Sequence, residues 1–266
     1  MTFRRFRILI LLGVLAGAFS LNWLEQTLVR GWQAPLDVAI TPINGDGSEQ
    51  AAETIRALQA SDFDDINAFL QRETARYGVK QNQAMQLTLK PELADKPPAP
   101  PHDRNVLKTI WWSLKLRWWV YQQSGQLLPQ LGRINLFVLY HAPQDGVALE
   151  HSLGLQKGLI GVVHAFADPR QAQQNNIVIA HELMHALGAS DKYGPGGRPL
   201  YPQGYAEPDW PEAMPRTAAE IMAGRYVNAA GNIVMPPSLA QCTIGAQTAH
   251  EINVDEGFRQ QYAAPD

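Results

Sequence analysis

The stretch IVIAHELMHALGASDKY, Ile177 to Tyr193, decides the reading of this chain. Its first eleven positions are apolar except for His181, Glu182 and His185. On an α-helix, residues four apart lie one above the other on the same face. His181 and His185 can therefore offer two imidazole nitrogens to one metal ion. Glu182 is the next residue round. It points to the flank of that face, within reach of a water on the metal. The bland reading is a pair of hydrogen-bonded core histidines. It leaves two ionisable rings and a carboxylate in one buried turn, which is expensive without a metal or partners.

Gly188 stands three residues past His185. Glycine there can take positive φ, stop the helix and turn the chain back. Asp191, three residues further on, can then come round to the metal as a third ligand, leaving one position open. The competing readings are that Asp191 is a cap or turn residue, or that Glu207, Glu212 or Glu220 supplies the third ligand instead.

The rest of the chain bounds the chemistry. It has 266 residues, one cysteine and a net charge near −3. The charge, and the lack of a basic stripe, argue against nucleic acid as a partner. Cys242 alone makes neither a disulfide framework nor a thiolate zinc cluster, so zinc here must be held by nitrogen and oxygen. At the N-terminus, Arg4, Arg5 and Arg7 precede an uncharged run from Ile8 to Leu24. Basic residues ahead of an apolar run direct export of the chain beyond that run. Residues 1–24 thus read as a membrane anchor or a cleaved signal peptide, 25–34 as a spacer and 35–266 as the functional domain. The expected location is the cell envelope, with the domain outside the cytoplasm in the periplasm, or secreted if the N-terminus is cleaved.

Along that domain, LDVAITPI and the alternating AMQLTLKPEL read as strands, with helix from Ser48 to about Tyr77 between them, broken near QASD. ADKPPAPPHDR is a proline-rich surface loop. NVLKTIWWSLKLRWWVYQQ is a helix whose Leu107, Trp111, Leu114, Trp118 and Tyr121 form one stripe, widened by Trp112, Leu116 and Trp119. Core packing is its first reading. The second is a membrane-surface helix, with Lys108, Lys115 and Arg117 toward lipid headgroups. INLFVLYHA is a strand covered on both faces, and LGLQKGLIGVVHAFAD a strand pair or a looped edge strand turning at QKG. A final helix falls near SLAQCTIGAQTAHEI. Residues 35–169 hold the sheet and helices, 170–193 the histidine helix and ligand turn, 194–266 a largely irregular remainder.

HELMHALGASD resembles the signature of the metzincin clan of zinc peptidases, with aspartate in the last place. Within the clan it is most similar to the snapalysin-like variant, in which a tyrosine stands two residues later, here Tyr193. The resemblance implies an α+β fold, a mixed twisted sheet over the active helix, and a zinc site held by His181, His185 and Asp191. It implies a methionine turn beneath the metal, matched by Met222 in EIMAGRY, and it offers Tyr226 as a tyrosine steadying the oxyanion. It also implies that GLIGVVHAFAD is the edge strand above the cleft, receiving an extended peptide, with His164 a rim or packing residue. His141, His151 and His250 have no partner at ligand spacing.

The expected function is a zinc endopeptidase, exported and membrane-tethered, acting on a peptide or protein substrate. A non-enzymatic, metal-stabilised envelope scaffold or binding protein is the alternative. An intramembrane protease is disfavoured, because the apolar stretch around the motif is too short to span a bilayer.

Overall fold

The computed structural model describes residues 27–101, 105–124, 131–143, 152–155 and 159–255, with scattered positions before residue 25. The expected anchor at 1–24 thus lies for the most part outside the described residues. Among those residues, no helix is long and apolar enough to cross a membrane.

The fold is α+β. Five strands form one sheet: β1 (Leu36–Asn44), β2 (Met85–Leu89), β3 (Arg133–His141), β4 (Leu153–Leu155) and β5 (Ile160–Phe166), in the order β2-β1-β3-β5-β4. The first four neighbours in that order run parallel; β4 closes the edge antiparallel to β5. Helices α1 (Glu49–Ala57) and α2 (Asp64–Arg76) connect β1 to β2, and α3 (Val106–Ser124) connects β2 back across β1 to β3. The two crossovers run in opposite directions along the sheet. Right-handed connection then places their helices on opposite faces.

The burial of the strands reflects this layering. On β3, Ile134, Leu136 and Val138 join the core cluster that holds Ile66, Phe69 and Leu70 of α2. Phe137 and Leu139 face the other way, onto Trp112 and Leu116 of α3. A strand covered on both sides reads as a continuous apolar run, as INLFVLYHA does. The helix carrying the motif, α4 (Ala172–Leu187), lies on the α1–α2 face, with Ile177, Ile179, Ala180 and Leu183 fully buried.

Three expectations need correction. The strand GLIGVVHAFAD is not at the edge: β4 covers β5, so β4 is the rim. The stripe Leu107, Trp111, Leu114, Trp118 and Tyr121 of α3 faces outward, with Leu107 76% and Trp118 61% exposed, while Trp112 and Leu116 are the buried side. The final helix is short: α5 covers only Ala246–Glu251, because Cys242–Thr243 (β9) is drawn into a parallel pair with Ala219–Glu220 (β6). A small hairpin, β7 (Tyr226–Val227) with β8 (Ile233–Val234), completes this region. The stretch read as a spacer is docked as well. Val29 and Trp32 are buried, and the Trp32 indole donates to the Ile252 carbonyl at 2.9 Å.

Candidate metal centre

The α4 helix is fixed at its start by side chains that bind backbone. Asp168 accepts from the Arg170 N–H before the first turn. The Asn175 side chain then clasps the N–H and carbonyl of Phe166 at 3.0 and 2.9 Å, tying the helix to the end of β5. Two turns later the apolar face is interrupted by His181, Glu182 and His185, whose ligand atoms all lie within 4.8 Å of one another.

Gly188 ends the helix as its position predicts. It takes φ 110° and ψ 5°, a left-handed conformation that a Cβ would penalise. The Gly188 and Ala189 N–H groups donate back to the His185 and Met184 carbonyls, each at 3.0 Å. This closure reverses the chain and delivers Asp191. Its Oδ1 stands 3.2 Å from His181 Nε2 and 3.1 Å from His185 Nε2.

The outer nitrogens of both rings are engaged elsewhere. His181 Nδ1 lies 2.9 Å from the Ile221 carbonyl, and His185 Nδ1 lies 2.8 Å from the Ala189 carbonyl. A carbonyl only accepts, so each ring presents N–H at Nδ1. In the neutral rings the Nε2 lone pairs then point at Asp191. Two imidazole nitrogens and a carboxylate oxygen turned toward one point could hold a cation. Burial by itself would raise the Asp191 pKa. The two adjacent histidines outweigh it and hold the carboxyl well below the usual range. His185 shows the reverse balance: burial opposes its charge, but Asp191, Glu182 and the Ala189 carbonyl together raise its pKa.

Glu182 sits beside this group and is only 4% exposed. Its Oε2 is buried with no hydrogen-bond partner. Burial raises its pKa, against the pull of the two histidines. An unpartnered buried carboxylate oxygen costs folding energy unless a further group comes to it. This orphan fits a site that takes up a cation and a polar reactant.

The turn at Met222 braces the centre from below. Ala223 and Gly224 donate to the Glu220 carbonyl, closing a tight turn. That turn gives the Ile221 carbonyl to His181 and the Met222 carbonyl to the N–H of Lys192. Met222 itself is fully buried. Glu220 is not a ligand. Its buried carboxylate accepts from the Met222, Ala223 and Gly245 N–H groups and from the Thr248 hydroxyl. Glu207 and Glu212 lie beside Arg216 and Arg198 instead. Of the four candidate third ligands, Asp191 alone is brought to the histidines.

The two tyrosines separate. The Tyr193 ring lies 6.4 Å from that of His181. Its pKa is raised by burial first and then by the charges of Asp191 and Glu182. Tyr226 lies on β7 opposite Val234, and among the described residues no hydrogen bond or ring contact joins it to the centre.

Sequence reasoning missed the clamp behind the ligand. Lys192 is buried. Its Nζ donates to the Ser190 carbonyl and hydroxyl and to both carboxylate oxygens of Glu251. Glu251 also accepts from the Ser190 N–H and hydroxyl, each at 2.8 Å. Both neighbours of Asp191 are thus locked to α5. A lysine beside a candidate ligand is a weak signal, and nothing in the sequence points to Glu251. His164 is no ligand; it pairs with His141 across β5 and β3 at 3.0 Å. His250 pairs with Asp255, and His151 lies outside the described residues. Buried Cys242, its thiol pushed up to about 12 chiefly by burial, is unreactive packing. No family model and no curated protein sequence matches the chain.

Proposed function

We propose that this chain is an exported, membrane-tethered zinc endopeptidase, with a metzincin-like catalytic domain of the snapalysin-like, aspartate-ligand kind. One observation carries the reading. His181, His185 and Asp191 converge on one point, with each imidazole fixed by a backbone carbonyl, beside a buried Glu182 oxygen that lacks a partner. The antiparallel rim strand on an otherwise parallel sheet, and the turn at Met222, support the resemblance.

His181, His185 and Asp191 would hold the metal. When bound, zinc supplies Lewis acidity, polarising a carbonyl and lowering the pKa of water to about 7. Glu182 takes a proton from the attacking water and passes it to the leaving amine. Its burial suits both halves of that task, because a carboxylate with a raised pKa accepts and returns a proton more readily. The phenol of Tyr193, close to the ligands, is better placed than Tyr226 to donate to the developing oxyanion. β4 packs against α4 and ends the sheet. An extended peptide adds to its open edge by backbone pairing.

Zinc stoichiometry and affinity of the full chain test the ligand set. Asp191→Ala is expected to weaken zinc binding well beyond the ~10–100-fold that an outer supporting group is worth. Glu220→Gln is expected to stay within that range. Zinc lost from Glu220→Gln and kept by Asp191→Ala would overturn the assignment.

A further inference from the structure

Helix α3 has two apolar faces, and the fold uses one. Its inner face is complete. Trp112 and Leu116 are buried on β3 and β5, Trp119 packs edge-on against Phe137 at 4.8 Å, and the Trp112 indole donates to the Pro98 carbonyl. The outer face is nevertheless made of large apolar side chains: Leu107, Ile110, Trp111, Leu114, Trp118 and Tyr121, all between 38% and 76% exposed. A contiguous face of this kind on a folded surface marks an interaction site.

Its chemistry selects the partner. At 100° per residue, Lys108 and Lys115 border that face on one side and Arg117 on the other. The helix contains no acidic residue, in a chain whose net charge is −3. Lys115 Nζ lies 5.7 Å from the Trp111 ring, so its stem lies along the apolar face and its charge sits at the border. Indole and phenol groups over an apolar stripe with cationic margins match the boundary between headgroups and acyl chains. A second copy fits poorly. Isologous pairing would set cationic borders near one another, with no acid on the helix to receive them. The placement is also suitable. α3 lies on the sheet face opposite α4, so docking leaves the metal centre open. α3 leads into β3, at whose start a Cβ on Gly132 would lie 3.6 Å from Leu28, close to where the N-terminal segment enters the fold.

We infer that the outer face of α3 docks on an anionic lipid surface, lying in its plane as a second membrane contact. This is independent of the peptidase chemistry. The test uses the full chain with Leu114→Cys, labelled with an environment-sensitive dye and reconstituted into vesicles. One set is phosphatidylcholine alone, the other equal parts phosphatidylcholine and phosphatidylglycerol. A blue shift is expected in the anionic vesicles, with little in phosphatidylcholine alone. Adding Lys115→Gln should lower the docked-to-free ratio about fivefold. Unchanged circular dichroism and zinc content in each variant keep a folding failure, or a failure of the metal site, distinct. No shift in either vesicle overturns the inference. So does an equal shift in both, or a shift that grows with protein concentration, which would identify a second copy as the occupant.

Discussion

Asp191 is held from both sides by residues outside the candidate ligand set. Lys192 and Ser190 are both bound to Glu251, so the ligand's backbone is fixed before any cation arrives. Two carboxylates in this unit carry pKa values below normal. For Glu251, burial acts upward, but Lys192 and Ser190 outweigh it; for Asp191 the imidazoles do the same. A depressed folded pKa means stability that is fully present above the unfolded value, near 4, and lost as pH falls through the folded one. Acid unfolding followed by circular dichroism should therefore show a falling limb below about pH 4, shallower in Glu251→Gln. An identical acid limb in the two proteins would refute the clamp. At this scale the convergence of His181, His185 and Asp191 was legible, because a helix and one glycine place them within a short span. Glu251 was not, since it reaches Ser190 from 61 residues away. The resemblance offers Tyr226 for the oxyanion, but the ring that lies 6.4 Å from that of His181 is Tyr193.

At the scale of elements, the end of α4 controls the site. Gly188 must adopt a left-handed conformation for the chain to reverse toward the histidines. An alanine there costs about 1–2 kcal/mol, which lowers the melting temperature by a few degrees. Because the strain falls on the turn that carries Asp191, Gly188→Ala should also weaken zinc binding. Calorimetry with and without zinc measures both effects, and a variant equal to wild type in both would show that the turn does not set the ligand. Gly161 on β5 helps from the other side: a Cβ there would lie 3.7 Å from that of Glu182 and 2.5 Å from a Leu136 methyl carbon. Strand and helix identities were readable from their periods. The orientation of α3 was not, because both of its stripes recur at helical spacing and neither pattern says which one the sheet takes. The pairing of LGL with GLIGVVHAFAD, by contrast, was readable from the turn between them, and β4 pairs with β5 accordingly.

The two proposed sites lie on opposite layers of the molecule. The candidate metal centre sits on the α1–α2–α4 face of the sheet, and the apolar outer face of α3 looks away from it. That the strand INLFVLYHA is covered on both faces was legible in its unbroken apolar run. The strand order was not, because it depends on which way each crossover runs. The irregular stretch after Tyr193 is organised by buried Arg216, whose guanidinium donates to the Met214, Trp210 and Pro211 carbonyls. No periodic pattern signals such a hub. The central claim is that this architecture cleaves peptide bonds through Glu182. The most direct measurement is cleavage of a peptide library by the zinc-loaded full chain, beside Glu182→Gln at equal zinc content. The expected result is cleavage by wild type, reduced about 10²–10⁴-fold in the variant. No cleavage by wild type, or equal cleavage by both, would contradict the account.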